Sequence, residues 1–364
     1  MGKNQARILA EHPDFELRAV CDIDAARADE TAGGLGVPAY TDFTAMLRET
    51  APDTVSVTSH NASHAPLTSA AAEAGVRGVY CEKPMATNMA EAHAMVNACR
   101  RTNTALVINH QRRLGADLGA MQRLVEQGAI GEVEFIRGDC GGDMLSDGTH
   151  LVDSILWLCG DRDVEWVYGG ITREITDAMR ERAAKRGDEP GTRYGHPVES
   201  GATAIVQIKD GPRIELFTGE LRTEFRHYQV YQVFGRKGSL WRTGDRSEPN
   251  LYISDQAGGG LETGLDDTFM LRPLAAAGNG RGLWRSVDIP LPAGGKELIA
   301  EGYSRFAQTI RTGADHPMCG GNALRGFEIV MAVYESARLR KRIDLPLEQD
   351  RFPLQLMLDE TTAP

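Results

Sequence analysis

Short apolar runs alternate with helical patterns over residues 1–110 of this 364-residue chain. The runs have the composition of buried strands, and the segments between them repeat apolar positions at helical spacing. The predicted strands are residues 15–21, 54–58, 78–81 and 105–108. The predicted helices are residues 6–10, 25–33, 41–49, 66–74 and 88–101. Because alternating strands and helices build parallel sheets, we predict a doubly wound parallel sheet for this α/β domain, residues 1–110.

A different pattern follows residue 110. The predicted elements are a helix at 114–127, a strand at 133–138 and helices at 149–159, 296–311 and 323–340. Between residues 200 and 241 three segments alternate apolar and polar positions, which is typical of an antiparallel sheet with one buried face. Segment 242–285, rich in glycine and acids, is predicted to be a surface excursion. We expect residues 111–364 to form an α/β domain with an open, mostly antiparallel sheet.

The composition limits the partners of this protein. Its net charge of −11 argues against nucleic-acid binding, because that requires a basic surface. No segment approaches the roughly 18 apolar residues of a membrane span, and residues 1–7 lack the apolar core of a signal peptide. The six cysteines show no Cys-x-x-Cys spacing. We expect a cytoplasmic protein with reduced thiols and with neither a nucleic-acid nor a membrane partner.

Charged residues stand where two of the predicted parallel strands end. Glu82 and Lys83, followed by Pro84, come directly after the strand at 78–81. Asp22 comes after the strand at 15–21. Because open α/β sheets bind ligands at the carboxyl ends of their strands, these side chains are candidates for a binding site.

A histidine follows in the second predicted domain. His150 lies near the start of the helix predicted at 149–159, in the pattern Gly-x-His-x-x-Asp. A strand-end acid, a strand-end Glu-Lys-Pro and a later Gly-x-His-x-x-Asp, in this order, resemble the glucose–fructose oxidoreductase/inositol dehydrogenase (Gfo/Idh/MocA) family. The resemblance covers nearly the whole chain. It implies a Rossmann-like domain that binds NAD and a second domain that completes a site for a sugar or cyclitol.

The resemblance also indicates which residues bind the adenosine half of the cofactor. In a dinucleotide fold the last glycine of Gly-x-Gly-x-x-Gly is followed about twenty residues later by an acid that binds the ribose. Gly2 and Asp22 have this spacing. A carboxylate at Asp22 binds NAD in preference to NADP, whose 2′-phosphate it repels; helix capping is the alternative for Asp22, and Asp24 also suits that role.

The sequence has no counterpart of the first two glycines of Gly-x-Gly-x-x-Gly, or of the strand that comes before them in a dinucleotide fold. Because that strand is central in the usual order, its loss leaves unpaired edges and a gap in the core. We expect Met1 to be an internal methionine of a chain that begins upstream. A truncated protein that binds no cofactor is the alternative.

The loop after the strand at 54–58 resembles the family's Thr-Pro-Asn-x-x-His loop beside the nicotinamide. Asn61 and His64 match this motif, whereas Ser59 and His60 replace its Thr-Pro. A polar turn with a helix cap is the alternative for this loop. The family also brings the Glu-Lys-Pro segment and the segment with Arg112 and Arg113 into the cleft, which implies that Arg112 and Arg113 contact the cofactor or a polyhydroxylated substrate. For the arginines a solvated hinge pair is equally consistent with the sequence.

Lys83 and His150 are the candidate catalytic residues. Lys83 can hydrogen-bond a substrate hydroxyl and stabilise developing charge on its oxygen, and a surface ion pair with Glu82 is the alternative. The family's bond before this proline is often cis, which would direct the lysine into the cleft. His150 can take the hydroxyl proton, because an imidazole pKa lies near neutrality.

Asp147 is the third candidate, and its role stays open. The family commonly has an aspartate four residues before the histidine, where this chain has Ser146, and Asp147 lies three residues before it. Asp147 either approaches the ring or caps the helix. A metal site at Asp143, Asp147, His150 and Asp153 is a further alternative, but acids at a helix start usually cap it, and we expect no metal.

The resemblance implies an NAD-dependent oxidoreductase that oxidises a hydroxyl of a sugar, sugar derivative or cyclitol. Two rivals remain: a related enzyme that retains NAD and cleaves glycosides or eliminates a leaving group, and a nucleotide-sensing or scaffold protein without catalysis. Retention of Lys83 and His150 argues against a sensor, which needs neither. The second-domain sheet often forms the oligomer interface in the family, so we expect a homo-oligomer.

Overall fold

The computed structural model describes residues 1–219, 228–245, 249–255, 270–273, 284–289 and 294–362. Helices and strands alternate up to Ile108. The helices are α1 (Gly2–Glu11), α2 (Ala25–Gly33), α3 (Phe43–Thr50), α4 (Asn61–Glu73) and α5 (Met89–Thr102). The strands are β1 (Val20–Cys21), β2 (Ala39–Tyr40), β3 (Thr54–Val57), β4 (Gly78–Cys81) and β5 (Ala105–Ile108).

The remainder of the chain contains longer strands. A 3₁₀ turn at Gln111–Leu114 comes before α6, and a π-helical turn at Met144–Gly148 leads into α7. The helices are α6 (Ala116–Glu126), α7 (Thr149–Leu158), α8 (Asp177–Arg186), α9 (Gly295–Thr312), α10 (Gly320–Leu339) and α11 (Pro353–Thr362). The strands are β6 (Val133–Cys140), β7 (Val164–Thr172), β8 (Thr192–Arg193), β9 (His196–Pro197), β10 (Gly201–Ile208), β11 (Arg213–Gly219), β12 (Val230–Gly235), β13 (Gly238–Arg242), β14 (Leu251–Asp255), β15 (Met270–Pro273), β16 (Trp284–Asp288) and β17 (Ile343–Asp344).

The chain divides into two compact units. The N-terminal unit comprises Met1–Leu114, Tyr194–His196 and Ala293–Leu324. The C-terminal unit comprises Gly115–Arg193, Pro197–Pro292 and Arg325–Pro364. Among the described residues, no helix is both long enough and apolar enough to cross a membrane.

The strand pairs among β1–β5 are all parallel. β3, β4 and β5 are neighbours in that order, and β1 pairs with β2. Among the described residues no strand joins β1 to β3, so the parallel strands form two sheets. β4 is buried along its whole length, which explains its continuous apolar run.

Helix α9 packs on this unit through an aromatic cluster. The ring of Tyr80 in β4 stacks on Tyr303 in α9, with centroids 4.3 Å apart, and meets Phe306 edge-on. A Cβ atom at Gly78 would lie 2.7 Å from the Phe306 ring and 2.5 Å from Ile310. Glycine at the start of β4 therefore allows α9 to approach the sheet.

The C-terminal unit is built on a ten-stranded sheet in the order β15-β16-β14-β13-β12-β6-β11-β10-β7-β17. Its pairs are antiparallel except for β6 with β11, which run parallel. In β10, Ala204 and Val206 are buried, whereas Thr203 and Ile205 are exposed. Leu151 of α7 packs over the buried face at Gly138 of β6, so the sheet has one covered and one open face.

The predicted fold class is confirmed: a Rossmann-like parallel sheet comes first and a larger, mostly antiparallel sheet with helices follows. Two local predictions are wrong. Of the strand predicted at 15–21 only Val20–Cys21 pairs, because its partner β2 offers just two residues. The predicted excursion 242–285 supplies β14, β15 and the start of β16 to the sheet, while its residues 246–248, 256–269 and 274–283 lie outside the described part.

Candidate functional site

Polar side chains gather where β3, β4 and β5 end in the N-terminal unit. The start of α1 lies at the same edge, because a Cβ atom at Gly2 would be 2.9 Å from Thr58 Oγ1, just beyond β3. Among the described residues, no side chain caps α1. A helix start whose first amides point outward at a strand end is the usual setting for a phosphate.

The Glu82 carboxylate is held by a buried polar network. Asn109, beyond β5, donates from Nδ2 to Glu82 Oε1 at 2.7 Å, and Gln5 of α1 donates to the same oxygen. Tyr80 donates to Asn109 Oδ1 at 2.7 Å. Because two side-chain donors hold its carboxylate and Glu82 is buried, the residue before Lys83 has a fixed position.

A second set of contacts fixes the other side of Lys83, which is itself half-buried. The Lys83–Pro84 peptide bond is cis. The Pro84 carbonyl oxygen lies 2.7 Å from Nδ1 of the buried His64, and the Ser59 carbonyl oxygen lies 3.0 Å from its Nε2. Burial lowers the pKa of His64, whereas the contacts with these two carbonyls raise it. His64 thus joins the loop at Ser59 to the Glu-Lys-Pro segment.

Asn61 begins α4 beside this segment. Its side chain is buried, and its Nδ2 has no hydrogen-bond partner among the residues that the structure describes. A buried amide donor without a protein partner is unfavourable unless a ligand or a water molecule accepts from it. Asn61 is therefore the residue of this loop whose surroundings most directly favour a bound ligand.

The structure separates the roles of the two acids after β1. Asp24 caps α2, because its Oδ1 accepts from the amides of Ala26 at 3.0 Å and Arg27 at 3.3 Å. Asp22 is half-buried, and its Oδ1 accepts from the Asp24 amide at 3.0 Å. Asp22 therefore does not cap the helix, and its carboxylate is held at the end of β1.

The two arginines beyond β5 differ in exposure. Arg112 and Arg113 lie in the 3₁₀ turn; Arg113 is 2% exposed and Arg112 is half-buried. The solvated hinge pair is wrong for Arg113, because a fully buried guanidinium is not solvated. The role predicted for Arg112 at the cofactor stays a prediction.

His150 and Asp147 lie in the C-terminal unit, at the π-helical turn before α7. His150 is 4% exposed in the first turn of α7. Asp147 accepts from Arg193 Nη1 and, at 2.7 Å, from the Tyr228 hydroxyl. Gly142, at φ +89°, makes room for this carboxylate, since a Cβ atom there would lie 2.0 Å from Asp147 Oδ2. Asp147 does not cap α7; Asp143 caps the preceding π-helical turn through the Ser146 amide at 2.7 Å.

A third acid, Glu199, supports the same turn. It comes just before β10, is 2% exposed, and accepts from the Met144 amide and from the Tyr334 hydroxyl at 2.8 Å. Burial and, to a smaller extent, the negative charge of Asp143 raise the pKa of Glu199 to about 7, although the hydrogen bonds from the Met144 amide and the Tyr334 hydroxyl oppose the rise.

Sequence reasoning missed the residues that hold the candidates in place. Gln5 and Glu82 are 77 positions apart, and Met144 and Glu199 are 55 apart, so no local pattern links them. A weak signal existed for Glu199, a lone acid beside the apolar residues that open β10. Within the described ranges no group of three or more His, Cys, Asp or Glu side chains is arranged to hold a metal ion.

Comparisons with known proteins agree with this fold. Residues 1–110 match the sequence model of the oxidoreductase family with an NAD-binding Rossmann fold (GFO_IDH_MocA). D-apiose dehydrogenase of Paraburkholderia graminis is 27% identical over 91% of this chain and 83% of its own length. Inositol 2-dehydrogenase of Rhizobium meliloti is 29% identical over 95% of this chain and 96% of its own.

A solved structure extends the likeness in fold. Levoglucosan dehydrogenase, in complex with NADH and levoglucosan, superposes with a TM-score of 0.75 over 95% of this chain and 97% of its own, at 19% identity. At this identity the superposition shows the fold alone. The match of residues 1–110, together with relatives along nearly the whole chain, supports membership of the Gfo/Idh/MocA oxidoreductase family.

Proposed function

We propose that this protein is an NAD-dependent oxidoreductase that oxidises a hydroxyl of a sugar, sugar derivative or cyclitol to the carbonyl. One observation carries the proposal: Lys83 is held at a strand end between a buried Glu82 network and the His64 contact to Pro84. A half-buried lysine fixed on both sides is suited to a reacting oxygen rather than to a surface ion pair. Relatives named as apiose and inositol dehydrogenases support the substrate class.

The residues present fit NAD at three points. Asp22 would accept the ribose hydroxyls, the α1 start at Gly2 would face the pyrophosphate, and the unpartnered Asn61 Nδ2 would donate to the nicotinamide end. Ser59, His64, Glu82 and Arg112 would complete the binding site. NAD, when bound, accepts the hydride from the carbinol carbon.

The chain supplies the proton chemistry and the orientation. His150 takes the hydroxyl proton as the C–H bond breaks, and Lys83 donates a hydrogen bond to the oxygen as it becomes a carbonyl. Asp147, held by Arg193 and Tyr228, orients the start of α7. The test is NADH formation with a panel of sugars, sugar acids and inositols. Aglycone release from glycosides without net NADH would favour the elimination rival, and silence in both assays would favour a nucleotide sensor.

We also propose that the protein is a homo-oligomer joined through the open face of the C-terminal sheet. Tyr168 and Ile205 are cross-strand neighbours on that face, 50% and 41% exposed. Arg137 lies 3.6 Å from Glu215 on the same face, so two copies would meet with apolar residues and charges of both signs. Neighbouring apolar side chains beside charges of both signs suit a self-complementary interface.

Sedimentation equilibrium tests the proposed interface. The wild type should have a mass above that of one chain, and Ile205→Lys should shift it towards the monomer, because a lysine would place a charge in the apolar part of the interface, where the loss of water is costly. Ala178→Lys, at an exposed position of α8, is the matched control and should leave the mass unchanged. A monomeric wild type, or an oligomer that Ile205→Lys leaves intact, would overturn the proposed interface. The free thiols of all six cysteines support a reducing compartment such as the cytoplasm.

A further inference from the structure

The π-helical turn before α7 is anchored by side chains that are distant in sequence. The Met144 amide donates to Glu199 Oε1, and the Leu145 amide donates to the Tyr334 hydroxyl oxygen at 3.2 Å. Tyr334 in turn donates to Glu199 Oε2 at 2.8 Å. Glu199 therefore holds two consecutive amides of the turn, one directly and one through Tyr334.

This arrangement places a carboxylate in the interior of the C-terminal unit. Two charged groups act on it, Asp143 at the turn and Arg173 after β7, and Arg193 binds Asp143 at 2.8 Å. A buried carboxylate opposes folding unless hydrogen bonds to its oxygens compensate for the lost water. A neutral residue would fill the same space without this penalty, so the acid serves the turn.

The turn has little freedom to occupy another position. The Gly148 and Asp147 amides both donate to the Asp143 carbonyl oxygen at 3.0 Å. A Cβ atom at Gly148 would lie 2.7 Å from Met144 Sδ and 3.0 Å from Thr218 Cγ2. His150 follows two residues later, so a shift of the turn moves the imidazole with it.

We propose that Glu199 is a positioning residue: by accepting from the amides of the π-helical turn, it fixes the start of α7 and thereby His150. The inference rests on the proposed role of His150 and names a residue outside the predicted site that this role requires. Glutamine keeps one oxygen that can accept from the Met144 amide, and its NH2 group can donate to the Tyr334 hydroxyl oxygen, so glutamine should replace Glu199, whereas leucine should not.

Amide hydrogen exchange tests the anchoring without any activity. In Glu199→Leu the peptide that spans Met144 to Leu158 should exchange about tenfold faster, as expected for loss of a hydrogen bond, while Glu199→Gln should stay within about twofold of wild type. Glu335→Leu is the matched control, since it removes a buried carboxylate of α10 that pairs with Arg338 instead. Tyr334→Phe, which keeps the ring, should accelerate exchange at Leu145.

Kinetics then connect the anchor to His150. Glu199→Leu should lower kcat about tenfold while KM and the NAD dissociation constant stay within about twofold, and Glu199→Gln should restore kcat. Exchange in Glu199→Leu no faster than in Glu335→Leu would overturn the proposal, as would Glu199→Gln behaving like Glu199→Leu. A wild type without turnover would refute the proposed function instead, and the exchange result would still decide whether Glu199 anchors the turn.

Discussion

Replacing Lys83 or His150 by alanine is expected to lower kcat by about 10²–10⁴-fold, the usual contribution of a general acid–base group. Lys83 is fixed at the end of β4 by Glu82 before it and the His64 contact after it. His150 is buried in the first turn of α7. If both act on the hydroxyl being oxidised, each substitution removes an interaction made in the transition state, and nucleotide affinity should change little.

The measurement is initial-rate NADH formation at saturating substrate, with NAD affinity determined by calorimetry on the same preparations. Lys209→Ala and His93→Ala, which alter an exposed lysine and an exposed histidine, are the matched controls and should retain wild-type rates. Asp147→Asn should lower kcat by less than His150→Ala, because Tyr228 can still donate to the amide oxygen. A loss of NAD binding that accounts for the whole rate effect would instead assign Lys83 and His150 to cofactor binding.

The second large effect is expected in cofactor choice. Wild type should bind NAD at least about tenfold more tightly than NADP, because the Asp22 carboxylate accepts ribose hydroxyls and repels a 2′-phosphate. Asp22→Ser should remove most of that preference, because it weakens the binding of NAD and relieves the repulsion of the NADP 2′-phosphate. The carboxylate is available for this role because Asp24, not Asp22, caps α2.

Calorimetric titration of both nucleotides checks this expectation. Asp24→Ser is the matched control: serine also caps helices, so α2 should remain intact and the preference for NAD should persist. NADP binding by the wild type that equals or exceeds NAD binding would show that Asp22 does not contact the ribose.

Local sequence patterns were sufficient to predict most helices and strands of the N-terminal unit. α2 and α5 were predictable because helical patterns follow capping residues, Asp24 and Asn88. β4 and β5 were predictable because buried parallel strands are continuous apolar runs. β1 was overestimated because strand length depends on the partner, and the short β2 lies eighteen residues beyond it in the chain.

The C-terminal unit was harder to predict for a different reason. β14 alternates buried Leu251 and Ile253 with Tyr252, but its glycine-rich and acidic surroundings hide that alternation. The π-helical turn before α7 also escaped prediction, because its anchors come from Glu199 and Tyr334 in distant elements. Strand-end and helix-start positions of candidate residues follow from local pattern, whereas the side chains that orient them depend on long-range packing.

Hydride transfer from a labelled substrate tests the proposed function most directly. The sugar or cyclitol that gives the fastest NADH formation is supplied with deuterium on its carbinol carbons, and the recovered nicotinamide is analysed by mass spectrometry. The proposed function predicts one deuterium per NADH, equal amounts of NADH and carbonyl product, and no transfer in His150→Ala beyond the residual rate. Binding of NAD by the wild type without any deuterium in the nicotinamide, over the whole panel of polyols, would contradict it.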